Sequence, residues 1–483
     1  MRRILRVEND SVRREASGLS WRWFPLLLIA SLIVMITPVT AGSYNGLSEE
    51  DHYYTLIKKN DIPYDRFVAK VKQEGFQVVY EVRELGLIQV KGKAGYSGRL
   101  AADSQVESFN RSVRALEPAQ DERTVSLATL PYLWDLQWDM QQSTRNGSSY
   151  NVYEGSSKVI VGIIDSGLYP HPDLAANIKP GSRNLVPAGG FRGGEPQESG
   201  NVNQTNDLTG HGTFVAGQVA ADGMIKGIAP HIGIRSYRVF GSGSAETIWV
   251  IKAIVEAAKD DVDVINLSLG SYLIKGLTFS SEGKSNEELV EIEGYKRAIE
   301  YARDRGSVVV AAVGNDGVNE KDRKQFEQFM RAKMAEDGVT FKGKVFDVPA
   351  SLPNVVTVAS VGPTNELSLF SNYGRGLVDI SAPGGDYRYY EQYGIDRWLA
   401  EGWYEKEQVI STVVGGGYGF MAGTSVATPK VSAALGLIIG KYGLKNKPAQ
   451  AERHLYKYGV DSSGKDSSFY GSGILNVYKA VTR

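Results

Sequence analysis

The sequence predicts an α/β protein with a mostly parallel sheet and helices on both faces, preceded by a small ferredoxin-like α+β unit. The chain has 483 residues, of which 42% are hydrophobic and 23% charged, enough for a large core. Strands rich in valine and isoleucine alternate with helical patterns over most of the chain. Before them, a shorter stretch has the order β-α-β-β-α-β.

Composition excludes several function classes. The 54 Lys+Arg and 55 Asp+Glu residues leave a net charge of -1, so we expect no nucleic-acid partner. The chain has no cysteine, which excludes disulfides, thiolate nucleophiles and cysteine-based zinc sites. Any nucleophile is therefore an oxygen or an amine.

Residues 1–41 have the pattern of a secretion signal. Six arginines precede an uncharged apolar run over residues 23–39. The small residues that end this region predict cleavage after Ala41. The run is short for a membrane span of about 20 residues, although an uncleaved signal anchor remains the alternative. No second run of this kind follows. We expect a secreted, extracellular protein with no stable membrane anchor after signal cleavage.

The small unit follows the signal. Its predicted strands span residues 53–58, 77–82, 87–91 and 113–116, and its predicted helices follow Asp61 and span residues 100–110. Residues 117–129 then turn polar and irregular, which is typical of a linker and of a protease-sensitive segment.

The main domain begins after this linker. Its predicted strands include residues 159–164, 235–240, 262–267, 307–313 and 355–361. Helical patterns follow His211, span residues 246–259, and begin near Ser285 and at Ser425. In a parallel sheet of this kind, reactive groups are expected at the carboxyl ends of the strands.

Four segments each place one polar side chain among glycines where a strand ends or a helix begins. They are Asp165 in residues 161–167, His211 in 210–217, Asn315 in 311–317 and Ser425 in 420–429. Taken singly, a turn explains the first and third, and a helix cap explains the others. Taken together, they supply the carboxylate, imidazole, hydroxyl and donor that nucleophilic acyl transfer requires.

The chain order Asp, His, Ser is that of the subtilisin arrangement. Residues 165–167, 211–213 and 423–429 resemble the three signatures of subtilisin-like serine proteases, and residues 268–270 and 471–477 resemble the family's substrate-binding segment and closing turn. The resemblance runs from about residue 130 to the end. It implies three parts: a signal peptide (1–41), an inhibitor-like propeptide (42–123) and a subtilisin-like catalytic domain (124–483).

The resemblance also implies site residues. The catalytic set would be Ser425 as nucleophile, His211 as general base and then acid, Asp165 as the partner of the imidazolium, and Asn315 as oxyanion donor. The substrate-binding set would be Ser268, Leu269 and Gly270, which pair with the substrate as an added strand, with Gly243 and Ser244 opposite. No metal or other cofactor is expected to take part in catalysis.

Some positions depart from the commonest family pattern, namely Phe214, Val426 and Lys430. Residues 136–140 and 427–432 resemble the lantibiotic leader peptidases, subtilases that release a modified peptide antibiotic from its leader. The helix after His211 lacks the longer calcium loop of many subtilisins. Asp173 could still bind a structural calcium ion, or it is an ordinary solvated turn residue.

The sequence therefore predicts a secreted serine endopeptidase, made as a self-processing zymogen, that removes the leader from a lantibiotic-type precursor peptide. The alternatives are a broad-specificity degradative subtilisin and, more weakly, a non-catalytic peptide-binding module. We expect self-cleavage between residues 117 and 130, preferably after Arg123, with the released propeptide acting as an inhibitor. Asp316 is predicted to favour a cation before the scissile bond, unless it merely faces water.

Three segments exceed a minimal subtilisin: residues 272–284, 318–345 and 386–408. Surface decoration explains all three. The last contains seven tyrosines and tryptophans, a density that is also typical of a peptide-recognition surface.

Overall fold

A nine-stranded sheet forms the centre of the main domain, in a computed structural model that describes residues 51–118, 123–125, 133–280, 283–285, 289–336, 338–462 and 464–483. In spatial order its strands are Val460–Asp461, Ile474–Leu475, Ile380–Pro383, Val355–Val361, Val308–Ala312, Val264–Leu267, Ile160–Asp165, Gly233–Arg238 and Arg183–Asn184. Neighbouring strands are parallel except at the edge formed by residues 460–461. The predicted mostly parallel sheet is confirmed.

Helices cover both faces because successive strand residues point to opposite sides. One face packs against the histidine helix, His211–Ala220, and the serine helix, Thr424–Tyr442. The other packs against Thr247–Lys259 and Leu289–Asp304. Further helices span Tyr64–Gln73, Ser97–Ala102, Trp138–Thr144, Arg323–Glu336, Arg388–Tyr393, Ile395–Ala400, Tyr404–Glu407, Pro448–Tyr458, Ser467–Tyr470 and Val477–Thr482. Within the described ranges, no helix is long and apolar enough to cross a membrane.

The predicted signal segment, residues 1–41, lies outside the described residues. The small unit begins at Asp51 and contains a four-stranded antiparallel sheet. Its strands in spatial order are Gln77–Val82, Leu87–Lys93, Asp51–Lys58 and Val106–Arg111. The predicted helix over residues 100–110 is wrong. The helix ends at Ala102 because Asp103 turns the chain, and its carboxylate accepts a 2.8 Å hydrogen bond from the Gln105 amide.

The small unit packs against the main domain through the helices Thr247–Lys259 and Leu289–Asp304. Leu87 and its apolar neighbours join the core on that face of the large sheet. Asn110 donates to Glu291 at 2.6 Å and accepts from the amide of Val290 at 3.0 Å. These contacts join the described residues into a single compact unit.

The end of the small unit leaves its sheet. Residues Arg114–Leu116, hereafter the tail strand, pair with the main-domain strand Ser244–Glu246 in antiparallel register. Farther along the linker, Arg123–Val125 pairs with Tyr418–Met421. The linker therefore contacts the main domain at two places.

Two of the predicted insertions form one structure. Ser271–Ser280 and Thr340–Val348 are long antiparallel strands, with Ser271 opposite Val348 and Phe279 opposite Thr340. They are hereafter the insertion sheet. The helix Arg323–Glu336 packs on it through an apolar cluster of its own.

The aromatic insertion folds into three short helices, Arg388–Tyr393, Ile395–Ala400 and Tyr404–Glu407. Its rings pack largely on one another, with the Trp403 ring centroid 4.8 Å from that of Tyr389. Trp398 is fully buried and donates to Glu407. Much of the aromatic content thus stabilises this segment itself.

Candidate active site

Two tight backbone approaches bring Asp165 and His211 together. Asp165 ends the strand Ile160–Asp165, and His211 begins the histidine helix. A Cβ atom added to Gly212 would lie 2.3 Å from the carbonyl oxygen of Gly167, so a side chain at position 212 would push the two segments apart. Gly167 itself has φ +131°, a conformation that favours glycine. The glycines of both motifs therefore allow the carboxylate to reach the imidazole.

The Asp165 carboxylate holds the His211 ring in one orientation. The Nδ1 atom of His211 lies 2.8 Å from Oδ1 and 3.0 Å from Oδ2 of Asp165, and both side chains are buried. Burial lowers the pKa of His211, but the carboxyl groups of Asp165, Glu117 and Asp207 together raise that pKa overall. The pair favours an imidazole that can accept a proton at its other nitrogen.

Asp207 supports the Asp165–His211 pair, and this residue is not among those predicted from the sequence. Its Oδ1 accepts from the Ser166 hydroxyl at 2.9 Å and the Gly210 amide at 2.8 Å, and its Oδ2 accepts from the Thr213 amide at 2.8 Å. Asp207 thus satisfies amides at the start of the histidine helix and fixes it to the Asp165 segment. The available signal was an aspartate just before the His-Gly-Thr motif.

His211 Nε2 is the ring nitrogen that Asp165 does not contact. This nitrogen is buried and has no hydrogen-bond partner among the described residues. Ser425, the second residue of the serine helix, is 7% exposed, and its carbonyl oxygen accepts a 2.8 Å hydrogen bond from Ser268. An unliganded site commonly holds its catalytic groups without the final hydrogen bond between them.

Asn315 presents an amide donor beside Ser425. Its Oδ1 accepts from the amide and the hydroxyl of Thr424, both at 2.9 Å, which leaves Nδ2 available to donate. A Cβ placed on Gly423 would lie 3.0 Å from Ser425 Oγ and 3.6 Å from Asn315 Nδ2. Both atoms therefore border the same small space, where an oxyanion would form.

The two predicted substrate-binding segments are each next to a strand. Ser268, Leu269 and Gly270 follow the strand Val264–Leu267. Ser244 begins the strand that pairs with the tail strand, and the Gly243 carbonyl accepts from the Glu117 amide at 3.5 Å. The protein's own chain thus occupies the position expected of a substrate strand.

Glu117 brings an unpredicted carboxyl group to the site. It hydrogen-bonds to the Thr209 hydroxyl and lies within electrostatic reach of Asp165 and His211. Burial raises the pKa of Glu117 to about 7. Glu117 and His211 therefore influence each other electrostatically.

Asp316 is engaged by its neighbours. Lys333 pairs with Oδ1, and the Tyr272 hydroxyl donates to Oδ2 at 2.7 Å. The side chain is 21% exposed, so it neither faces water freely nor lacks a counter-charge.

A buried ion pair lies farther along the serine helix. Lys430 Nζ is 2.9 Å from Asp139 Oδ2 and donates to Gln218 Oε1 at 2.5 Å, and both charged side chains are fully buried. Burial lowers the pKa of Lys430, and the Asp139 carboxylate partly restores it. The pair joins the helix Trp138–Thr144 to the serine helix. Sequence reasoning noted both residues but not their contact.

Asp173 is buried rather than a solvated turn residue, and one of its two carboxylate oxygens is already engaged. Its Oδ2 accepts from the Ile225 amide at 3.1 Å and the Tyr418 hydroxyl at 2.8 Å. Across the ranges the structure covers, no group of three or more His, Asp or Glu side chains is arranged to hold a metal ion.

Comparisons with known proteins agree with this geometry. Residues 156–473 match the model of the subtilase family. The chain is 39% identical to the epidermin leader peptide-processing serine protease of Staphylococcus epidermidis over 95% of its own length and 99% of the relative's. It is 41% identical to the nisin leader peptide-processing serine protease of Lactococcus lactis subsp. lactis over 68% of this chain and 47% of that one.

Solved structures give the same result. A crystal structure of the epidermin leader peptide-processing protease from Staphylococcus aureus matches with a TM-score of 0.80 and 40% identity, covering 90% of this chain and 99% of that one. These matches, and the aspartate, histidine and serine at the expected strand and helix ends, establish that the chain belongs to the subtilase family of serine proteases.

Proposed function

We propose that this chain is a secreted, self-maturing serine endopeptidase that removes the leader from a lantibiotic-type precursor peptide. One observation carries the proposal. The match to an epidermin leader peptide-processing protease covers 95% of this chain and 99% of the relative. The match spans the small unit as well as the catalytic domain. The buried Asp165–His211 pair, together with Ser425, would supply the chemistry.

In the proposed reaction, Ser425 Oγ attacks the peptide carbonyl carbon while its proton passes to His211 Nε2. Asp165 stabilises the imidazolium through Nδ1. Asn315 Nδ2 donates to the negative oxygen of the tetrahedral intermediate. His211 then gives its proton to the leaving amine, and a water molecule, deprotonated in the same way, releases the acyl group from Ser425. The chemistry requires no cofactor.

The substrate is proposed to lie as an extended strand between two segments. Ser268, Leu269 and Gly270 would pair with one edge of it, and Gly243 and Ser244 with the other. The tail strand supports this position because it already pairs with Ser244–Glu246. A peptide substrate would therefore have to displace the tail.

The small unit is proposed to be the propeptide and inhibitor, within residues 42–123. Its tail covers the groove and carries Glu117 to the His211 region. Self-cleavage between residues 117 and 130, preferably after Arg123, would free this segment. Residues 1–41 would direct export and be removed after Ala41, leaving an extracellular enzyme without a stable membrane anchor.

Binding of a structural calcium ion stays a prediction. Equilibrium dialysis of the mature enzyme against calcium would test it, and no ligand set is assigned because Asp173 is already hydrogen-bonded.

The proposed function is tested by digesting a synthetic leader–core peptide with arginine before the junction. Mass spectrometry is expected to show one cut at the junction for the wild type and none for Ser425→Ala. An unrelated unfolded protein, incubated in parallel, should remain nearly intact. Many cuts in that protein would favour the degradative alternative, and peptide binding without cleavage would favour the non-catalytic module.

A further inference from the structure

The insertion sheet has two faces, because successive side chains of a strand point to opposite sides. Ile274 and Phe341 point to the side that packs against the helix Arg323–Glu336. On the other side, Leu273 and Phe346 lie directly opposite each other and join the core of the main domain. The remainder of that second side is hereafter the lysine face. It consists of Lys275, Leu277, Phe279, Thr340, Lys342 and Lys344.

The lysines of this face are exposed and lack counter-charges. Within the described residues, none of Lys275, Lys342 and Lys344 forms an ion pair. Lys344 Nζ lies 4.6 Å from the centroid of the Phe346 ring, a contact that supplies no acid. Lys275 lies directly opposite Lys344 in the strand register. Like charges in directly opposite positions destabilise a sheet, and an anion bound between them would offset that cost.

The acids near Lys275 already have partners. Lys275 borders a cavity whose lining includes Glu107 and Glu293. Arg297 pairs with Glu107 at 2.9 Å and with Glu293 at 3.0 Å. Glu107 also belongs to the small unit and would leave with it. Among the described residues, the positive charge of the lysine face is therefore left to be matched by another molecule.

The lysine face also carries apolar side chains. Leu277 and Phe279 are half-buried, and Leu277 lies directly opposite Lys342. Apolar contact and charge pairing together suit an extended segment that has both acidic and apolar side chains. A compact anion such as free phosphate would use only the lysines.

The lysine face continues from a proposed substrate-binding segment. Ser271, the first residue of the insertion sheet, directly follows Gly270. Ser268 bonds to the Ser425 carbonyl, so the substrate residue before the cut is expected near Ser268. A substrate strand antiparallel to residues 268–270 then carries its upstream residues toward the insertion sheet. Lys275 follows Gly270 by five residues, or about 16 Å of strand at about 3.3 Å per residue.

We propose that the lysine face binds an acidic segment of the precursor peptide upstream of the cut, and so holds the leader while Ser425 acts at the junction. The inference rests on the proposed function, which supplies the peptide substrate and its strand position. Three upstream residues would pair with residues 268–270, and about five more would reach Lys275. The acidic side chains are therefore expected about eight or more positions before the cut.

The test compares three leader–core peptides that share one junction. The first carries three aspartates about 8 to 12 positions before the cut, the second has asparagines there, and the third has the aspartates at the same distance after the cut. For the wild type, kcat/KM should be about tenfold higher for the first peptide than for the others, through a lower KM. This advantage should largely vanish at about 1 M salt, where exposed charges are screened.

Variants assign the effect to the lysine face. The test variant combines Lys275→Gln, Lys342→Gln and Lys344→Gln. It should cleave all three peptides at nearly equal rates, with the neutral peptide cleaved as by the wild type. The matched control removes the same charge from exposed positions outside the insertion sheet and should keep the advantage. It combines Lys158→Gln, Lys441→Gln and Lys447→Gln.

Two results would overturn the proposal. One is an advantage of the upstream acids that survives in the lysine-face variant. The other is a wild type that cleaves the upstream-acid and downstream-acid peptides equally, and this comparison decides even if the variant fails to fold.

An anionic membrane is the competing partner for an exposed face of lysines and apolar side chains. Cosedimentation with vesicles of equimolar phosphatidylglycerol and phosphatidylcholine tests it. If the wild type binds these vesicles and the lysine-face variant does not, while the two enzymes show the same peptide preference, the face is a membrane contact and the proposal is wrong.

The outcomes separate this inference from the proposed function. Equal cleavage of acidic and neutral leaders, each at the single junction, overturns the role of the lysine face while leader removal still stands. Conversely, an upstream-acid advantage in an enzyme that also degrades unrelated unfolded proteins keeps the lysine face and contradicts the leader-peptidase function.

Discussion

The proposed catalytic centre and the carboxyl cluster, which consists of Asp316, Glu320 and Asp347, meet at the neighbouring residues Asn315 and Asp316, yet their charges are paired very differently. In the catalytic centre, Asp165 is matched to His211, and the nitrogen left without a partner is the one that would accept a proton. In the cluster, Asp347 keeps a buried oxygen without a partner in the described structure. The first arrangement suits proton transfer, whereas the second leaves a buried acid short of positive charge.

Replacing Asp165 is expected to have the largest effect on the proposed catalytic centre. Asp165→Asn removes the charge that orients the imidazole and favours the wrong tautomer, so kcat should fall about 10⁴-fold. The loss should be equal for leader–core peptides that have arginine or leucine before the junction. Steady-state kinetics on both peptides checks this, and a loss confined to one peptide would contradict a role of Asp165 in the chemical step.

The Lys430–Asp139 pair tests whether a buried ion pair stabilises the framework of the catalytic centre. Lys430→Met leaves Asp139 buried without its cation, so the free energy of unfolding should fall by about 3–5 kcal/mol. Replacing both partners by apolar residues, Lys430→Met with Asp139→Leu, should restore most of the loss. Urea unfolding in a Ser425→Ala background avoids self-digestion.

The exposed pair of Lys479 and Asp461 provides the control. The two side chains are 42% and 54% exposed, so Lys479→Met should change stability by less than about 1 kcal/mol. If the protein with both Lys430→Met and Asp139→Leu were as unstable as the protein with Lys430→Met alone, loss of the buried ion pair would not explain the lower stability.

Asn315→Ala removes the proposed oxyanion donor. We expect kcat to fall about 10²–10³-fold with KM nearly unchanged, because the donor acts in the transition state. Thr424→Val should cause a smaller loss, since Asn315 Oδ1 keeps the backbone amide of residue 424 as a donor. A raised KM with unchanged kcat would instead assign Asn315 to substrate binding.

The protonation of Glu117 is expected to make the docking of the small unit depend on pH. Docking raises the pKa of its carboxyl from 4.5 to about 7, so the docked state favours the protonated form. The docking contribution is fully present below pH 4.5 and is lost as pH rises toward 7. Release of the small unit should therefore be faster at pH 8 than at pH 5.5.

This prediction is measured as the onset of activity after self-processing, normalised to the fully active enzyme at each pH. Glu117→Gln should slow the onset at pH 8 by about tenfold and flatten the pH dependence. Glu74→Gln, which changes a partly exposed carboxylate paired with Lys70 inside the small unit, is the control and should behave as wild type. An unchanged pH dependence in Glu117→Gln would exclude Glu117 as the titrating group.

The sequence was sufficient for the sheet class and for the four polar groups at strand and helix ends. Each of these groups lies in a short segment whose glycines are required by local backbone geometry, such as Gly212 against the Gly167 carbonyl. Local requirements of this kind leave a signal within a few residues. The same reasoning failed at residues 100–110, where the turn at Asp103 interrupts a helical pattern.

Asp347 left no such signal. It lies 31 positions after Asp316 in the sequence, and the pairing of the two long strands of the insertion sheet brings it to Gly270. The contact between Lys430 and Asp139 likewise depends on how two distant helices pack. Contacts between residues that are far apart in the chain cannot be predicted from one sequence, because such a contact does not restrict the residue types next to either partner.

The central claim, that Ser425 is an activated nucleophile, is tested most directly by labelling the mature enzyme with a fluorophosphonate. Peptide mass spectrometry should locate one phosphonyl group on Ser425, and the Asp165→Asn enzyme should react far more slowly. A label on another residue, or equal labelling of a Ser425→Ala protein, would contradict the account.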